Sequence, residues 1–104
     1  MAPSTDALVV LGGDLNDTPG SPTLDALEAS GLVSVAAELP PTEQGTFVFG
    51  DAAVALDHLY VPAALRGRYI TGSARVVRDD ATPRRGHGYA GSDHAALVAD
   101  FAMR

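Results

Sequence analysis

Three short polar clusters, each inside or at the end of an apolar run, carry the chemically useful side chains of this sequence. They are Gly-Asp-Leu-Asn at residues 13–16, Leu-Asp-His-Leu at residues 56–59 and Ser-Asp-His at residues 92–94. Together they offer carboxylates, an amide and a histidine, with a further carboxylate that can hold the histidine ring. Such a set suits metal-assisted attack of water on a phosphodiester.

The same residues also have purely structural interpretations. Asp14 and Asn16 are of types that often form turns by bonding their own backbone. Asp57 fits a surface acid on an edge strand, and Asp93 with His94 fits a cap on a helix or strand. Only the combination of all three clusters, in this order and with apolar strands between them, favours the catalytic interpretation.

The remaining polar candidates give weaker signals. Because side chains alternate along a strand, His58 is expected on the face opposite Asp57, in a structural role. His87 lies in a Gly-His-Gly segment and is expected to be exposed, and His58, His87 and His94 lack a characteristic zinc spacing. A calcium loop beginning at Asp14 is excluded, since its sixth position must be glycine and is Pro19. Thr46 is a weak candidate for shaping the cleft.

Composition predicts one globular domain over residues 1–104. Hydrophobic residues make up 46% of the chain and charged residues 19%, and there is no cysteine. The net charge of −6 argues against a simple nucleic-acid clamp, although all seven basic residues are arginines and all but Arg104 lie between residues 66 and 85. No apolar run approaches the length of a membrane span. Residues 1–6 do not resemble a signal peptide, so an export signal of a secreted parent protein would lie outside this chain.

The elements that must position the clusters are mainly strands. Ser21 and Pro22 predict the start of a helix, with Gly31 at its end. Residues 32–39 are compatible with a short helix or a strand, residues 62–65 with a helical turn and residues 79–91 with a long polar loop. Strands are predicted at residues 7–11, as a buried strand, and at 46–49, 55–61, 70–78 and 95–101. The fold class is therefore α/β, dominated by sheet.

The motifs resemble the endonuclease/exonuclease/phosphatase superfamily, the DNase I-like metal-dependent phosphodiesterases, and most closely its bacterial extracellular-nuclease-like members. The resemblance rests on Gly-Asp-Leu-Asn-Asp at 13–17, Ser-Pro-Thr-Leu at 21–24, Leu-Asp-His at 56–58 and Ser-Asp-His at 92–94. It implies half of a DNase I-like four-layer α/β sandwich, the C-terminal half, with mostly antiparallel or mixed sheet and one or two helices.

The resemblance also implies roles for five residues. Asp14 resembles the carboxylate that orients or deprotonates the attacking water and contributes to the metal site, and Asn16 resembles the amide that fixes the water and a phosphate oxygen. His94 resembles the histidine that contacts the scissile phosphate, and Asp57 resembles the carboxylate that holds its ring. Asp93 resembles the acid at the metal. The implied cofactor is Mg²⁺ or Mn²⁺.

The expected function is accordingly metal-dependent phosphodiester hydrolysis, with nucleic acid as the expected substrate. In the family the glutamate that is the main metal ligand lies in the N-terminal half, so little activity is expected from this chain alone. The expected partner is that half or a second copy of this chain. The alternative is a non-catalytic fragment or interaction module that keeps the fold without turnover.

Overall fold

A computed structural model describes residues 8–103. Its single α-helix within this range, α1, spans Pro22–Ala29, and three short 3-10 helices span Val35–Glu38, Pro41–Glu43 and Ala63–Arg68. The strands are β1 (Leu11–Asp14), β2 (Leu32–Ser34), β3 (Phe47–Phe49), β4 (Ala52–Val54), β5 (Asp57–Pro62), β6 (Arg75–Val77) and β7 (Ala96–Val98). Among the described residues, no helix is both long and apolar enough to cross a membrane.

The strands form three antiparallel sheets. The largest has the order β1-β5-β2, and there are two two-stranded sheets, a hairpin of β3 with β4 and a long-range pair of β6 with β7. In the central sheet Asp14 lies directly opposite Asp57. The prediction of an α/β domain with mostly antiparallel sheet is confirmed, whereas the four-layer sandwich stays a prediction.

The helix α1 begins and ends where the sequence predicts. The Ser21 hydroxyl accepts a hydrogen bond from the Leu24 N–H at 3.3 Å, and Pro22 occupies the first turn, where its missing N–H costs nothing. Gly31 follows the C-cap residue with φ of +102°, a conformation that favours glycine. Leu24 is the buried residue of α1 and joins Tyr60 and Val61 of β5 in the core.

The prediction of a buried strand at residues 7–11 is wrong for the residues that the structure describes. The strand is β1, which starts only at Leu11, and Val9, Val10 and Leu11 are each about 40% exposed. The reason is topological: among the described strands, β1 lies at the edge of its sheet and pairs only with β5. A continuous apolar run identifies a strand but not what covers it. Residue 7 lies outside the described residues.

Three other strand predictions have wrong bounds. The predicted strand at 70–78 is reduced to β6, because Ile70 starts a turn in which its carbonyl accepts from the Ser73 N–H at 3.0 Å. The predicted strand at 55–61 begins only at Asp57, and β4 precedes it as the unpredicted partner of β3. The predicted strand at 95–101 is reduced to β7, with an isolated bridge between Phe101 and Tyr69. Residues 32–39 contain both alternatives, a strand followed by a 3-10 helix.

Candidate active site

A carboxylate–imidazole pair lies at the centre of the candidate site. Asp57 opens β5, and His94 follows the long loop that leads to β7. The Nδ1 of His94 is 2.6 Å from an Asp57 carboxylate oxygen, so the expected contact between these residues is present. The hydrogen bond to Asp57 raises the pKa of His94 above its ordinary value, with partial burial of the ring acting in the opposite direction. Asp57 thereby fixes the ring orientation and leaves Nε2 for other partners.

Two further carboxylates flank the Nε2 of His94. The nearest oxygen of Asp14 is 3.8 Å from this nitrogen, and the nearest oxygen of Asp93 is 3.9 Å from it. The Asp14 and Asp93 side chains are 48% and 58% exposed, against 23% for His94. The open side of the imidazole therefore faces a solvent-accessible, negatively charged surface.

The β1–β5 pairing and a local turn position Asp14. Its other carboxylate oxygen accepts a hydrogen bond from the Asn16 backbone N–H at 2.8 Å, while the Leu15 N–H donates to the Leu56 carbonyl at 3.0 Å. Asn16 adopts φ of +53°, a conformation that asparagine tolerates better than most residues. Asn16 is exposed, and the hydrogen bond that it makes here is through its backbone. The turn-forming interpretation of Asp14 is confirmed, and the turn leaves its other carboxylate oxygen beside His94.

Thr46 joins the segments that carry Asp57 and His94, a role that its sequence signal greatly understated. Its side chain is fully buried, and its hydroxyl oxygen accepts hydrogen bonds from the N–H groups of Leu56 and Asp57, both at 3.1 Å. Its carbonyl accepts from the N–H of Ala95, the residue after His94, at 2.7 Å. One residue therefore holds the backbone on both sides of the Asp57–His94 contact.

Phe47 and Gly88 complete the support of His94. The Phe47 and His94 rings lie 4.9 Å apart between centroids, in a tilted arrangement. The backbone of Gly88 passes so close to His94 that a Cβ at this position would overlap the His94 carbonyl group. Only glycine allows this approach. The signal was present in the sequence as Gly-His-Gly at 86–88, but nothing local indicates which segment the glycine must approach.

The other two histidines lie where the sequence predicts. His58 is 3% exposed on the core side, and its Nε2 lies 2.6 Å from the Asp17 carbonyl oxygen. Because a carbonyl only accepts, Nε2 of His58 carries the hydrogen. His87 is exposed, with its Nδ1 3.6 Å from Asp80. Neither reaches His94 through a contact in the described structure, so a three-histidine zinc site finds no support.

The donor atoms fit a hard divalent cation. One ligand atom from each of Asp14, Asp57 and His94 can be chosen so that all lie within 4.8 Å of one another. Asp57 and the Nδ1 of His94 already bond each other, which leaves Asp14 as the most exposed donor of the three, with 48% of its side chain exposed against 20% for Asp57. Mg²⁺ is commonly bound by one or two carboxylates together with substrate phosphates and water, and Mn²⁺ accepts the same donors. Among the described residues, this cluster is the one whose side chains could together hold a metal ion.

Comparisons of the chain with protein-family models, curated proteins and solved structures returned no significant match.

Proposed function

We propose that this site belongs to a metal-dependent phosphodiester hydrolase of the nuclease and phosphatase type, as the resemblance of its motifs to the endonuclease/exonuclease/phosphatase superfamily suggests. The observation that carries the proposal is the Asp57–His94 contact at 2.6 Å with two exposed carboxylates beside the free ring nitrogen. A carboxylate-oriented histidine can transfer a proton or contact a phosphate, and half-exposed carboxylates can act as a base or bind a divalent cation.

In this proposal each side chain has a defined task. His94, oriented by Asp57 and with a raised pKa, donates a hydrogen bond from Nε2 to a phosphate oxygen as negative charge develops there. Asp14 accepts the proton of the attacking water, and Asn16 orients that water. Asp14 and Asp93 would hold Mg²⁺ or Mn²⁺, which supplies charge neutralisation at the phosphate and lowers the pKa of bound water.

The exposed edge of the central sheet favours the hypothesis that another polypeptide binds this chain. The exposed residues Val9 and Val10 precede β1, and the exposed Leu11 begins it. The outer backbone edge of β1 pairs with no other described strand. Exposed strand edges with apolar side chains are usually covered in the working protein. The expected occupant is a complementary N-terminal half or a second copy of this chain, and the isolated chain is expected to be poorly active without it.

Hydrolysis of bis(p-nitrophenyl) phosphate tests the function. We expect slow turnover that requires Mg²⁺ or Mn²⁺, stops in EDTA, and is lost in Asp14→Asn and His94→Gln. His87→Gln is the matched control, because His87 is an exposed histidine in the neighbouring loop.

A second readout covers the case of weak activity. Mn²⁺ should broaden the backbone NMR signals around Asp14 and Asp93 of the wild-type chain selectively, and the effect should weaken in Asp14→Asn. Intact folding without turnover and without selective broadening would refute the proposal and favour the alternative of a non-catalytic module.

A further inference from the structure

A groove opens beside the candidate active site, between the β3–β4 hairpin and the loop before His94. Its volume is about 500 Å³, and its lining includes Phe47, Phe49, Arg85 and Asp93. Ligand clefts commonly have volumes of roughly 300–1,000 Å³, so the groove is large enough for a small organic group.

Two of the lining side chains are exposed without a structural reason. Phe49 is 73% exposed, so its large aromatic ring adds little to the stability of the fold through burial. Arg85 is also exposed and forms no ion pair within residues 8–103, whereas its neighbour Arg84 pairs with Asp80 at 3.5 Å. In a chain with a net charge of −6, a free arginine beside an acidic site marks a place for an anionic ligand.

The groove is continuous with the candidate active site. Asp93 lines the groove and lies 3.9 Å from the Nε2 of His94. Phe47 lines it as well, and its ring contacts the His94 ring. A substrate with a phosphate at His94 would therefore extend its neighbouring group along the groove towards Phe49 and Arg85.

The geometry points to a subsite for an unpaired nucleic-acid strand: one base stacks on Phe49, and a phosphate next to the scissile one pairs with Arg85. An exposed aromatic ring beside a cationic side chain is the usual platform for single-stranded nucleic acid, since every base offers a flat π-face. A lipid or sugar phosphate lacks the flat π-face that a base offers to the Phe49 ring. A paired base has both faces covered by its neighbours, so the strand must be unpaired. The position of the scissile phosphate in this assignment rests on the proposed function.

Binding of a fluorescently labelled hexathymidylate to the full chain, measured by anisotropy in EDTA, tests the subsite without any need for turnover. We expect Phe49→Leu to weaken binding by about 5- to 150-fold, the range that loss of one base–aromatic stack gives. Phe49→Trp should retain the affinity. Arg85→Gln should reduce the slope of log Kd against log salt concentration by about 0.7, the value for one phosphate contact in a single strand. Arg66→Gln removes the same charge from an exposed arginine outside the groove and should leave both quantities unchanged.

Four results would overturn the subsite. They are absence of saturable binding by the wild-type chain, equal affinity of Phe49→Leu and the wild type, equal effects of Arg85→Gln and Arg66→Gln, and binding of a duplex as tightly as the single strand. The groove could instead bind a second copy of this chain, which sedimentation of Phe49→Leu tests. Loss of self-association without a change in oligonucleotide affinity would identify the groove as a protein interface.

The two proposals fail separately. Bis(p-nitrophenyl) phosphate carries no nucleobase, so its hydrolysis reports the active site alone. Phe49-dependent binding of hexathymidylate, with neither metal-dependent hydrolysis nor selective Mn²⁺ broadening at Asp14 and Asp93, would refute the proposed function and keep the subsite. Hydrolysis that requires His94, combined with binding that ignores Phe49, would keep the function and refute the subsite.

Discussion

Replacing Thr46 by valine isolates the contribution of one buried hydroxyl to the candidate site. The two side chains have nearly the same shape, so the change removes the acceptor oxygen without leaving a large cavity. In the wild type this oxygen accepts hydrogen bonds from the N–H groups of Leu56 and Asp57, both at 3.1 Å, and Thr46 itself has no exposed surface. In Thr46→Val both N–H groups lose their partner.

The magnitude follows from the cost of an unsatisfied buried donor, about 1–3 kcal/mol for each group. Because the two bonds are only partly buried, the lower half of the summed range applies, and Thr46→Val should lower the free energy of unfolding by about 2–4 kcal/mol. This is a large share of the roughly 5–15 kcal/mol by which domains are stable. Thr46→Ser keeps the hydroxyl and loses one methyl group, which should cost only about 1 kcal/mol.

Urea unfolding followed by circular dichroism measures the difference, and an unchanged m-value shows that the two-state comparison holds. A second readout is the pKa of His94 by NMR, which should fall in Thr46→Val as the Asp57 backbone moves. Serine should leave it in place. Equal stabilities for the valine and serine variants, or an unchanged His94 pKa in a destabilised valine variant, would refute the role of the hydroxyl in positioning Asp57.

Three further changes test the support of the site and the fold. Asp57→Asn should lower the pKa of His94 towards its ordinary value, measured by NMR titration. Because the folded-state pKa of His94 is raised, the stabilisation from its contact with Asp57 is complete below the unfolded-state pKa of about 6.5. This stabilisation is lost as pH rises through the folded-state pKa of His94. The difference in stability between Asp57→Asn and the wild type should therefore shrink with increasing pH. A pH-independent difference would contradict this. Gly88→Ala should break the His94–Asp57 contact and shift the His94 NMR signals, because the added methyl group overlaps the His94 carbonyl. Gly67→Ala is the control and should leave these signals unchanged, because a Cβ at Gly67 meets no other atom. Equal spectra for the two variants would refute the argument. Ser21→Ala should cost about 1 kcal/mol in urea unfolding by removing the cap of α1, and a neutral result would show that the cap contributes nothing.

The parts of the fold that the sequence predicted are those with local causes. The Ser21 cap, Pro22 and Gly31 all act within one helix. The exposure of Val9, Val10 and Leu11 was mispredicted because it depends on which strands lie beside β1, and an apolar run carries no such information. The strand bounds failed for a related reason, since hydrogen bonds to distant partners decide where a short strand stops.

The candidate site divides in the same way. Asp14, Asp57, Asp93 and His94 were identifiable because their side chains have recognisable chemistry, and the structure brings these four together. Thr46 and Gly88 act mainly through or upon the main chain of other segments, so their residue types carry no chemical signature. Only the long-range hydrogen bonds show that Thr46 holds the backbone at Asp57 and at Ala95, the residue after His94.

The register of β5 links the packing of the core to the geometry of the candidate site. Asp14 stands opposite Asp57, and the alternation along β5 sends Asp57 towards His94 while His58 enters the core beneath it. A shift of β5 by one residue would exchange the two side chains, burying a carboxylate and exposing a histidine. Because burying an unpaired carboxylate costs far more than burying an imidazole that donates to the Asp17 carbonyl, the core favours the register that completes the site. The same packing that stabilises β5 therefore places Asp57 beside His94.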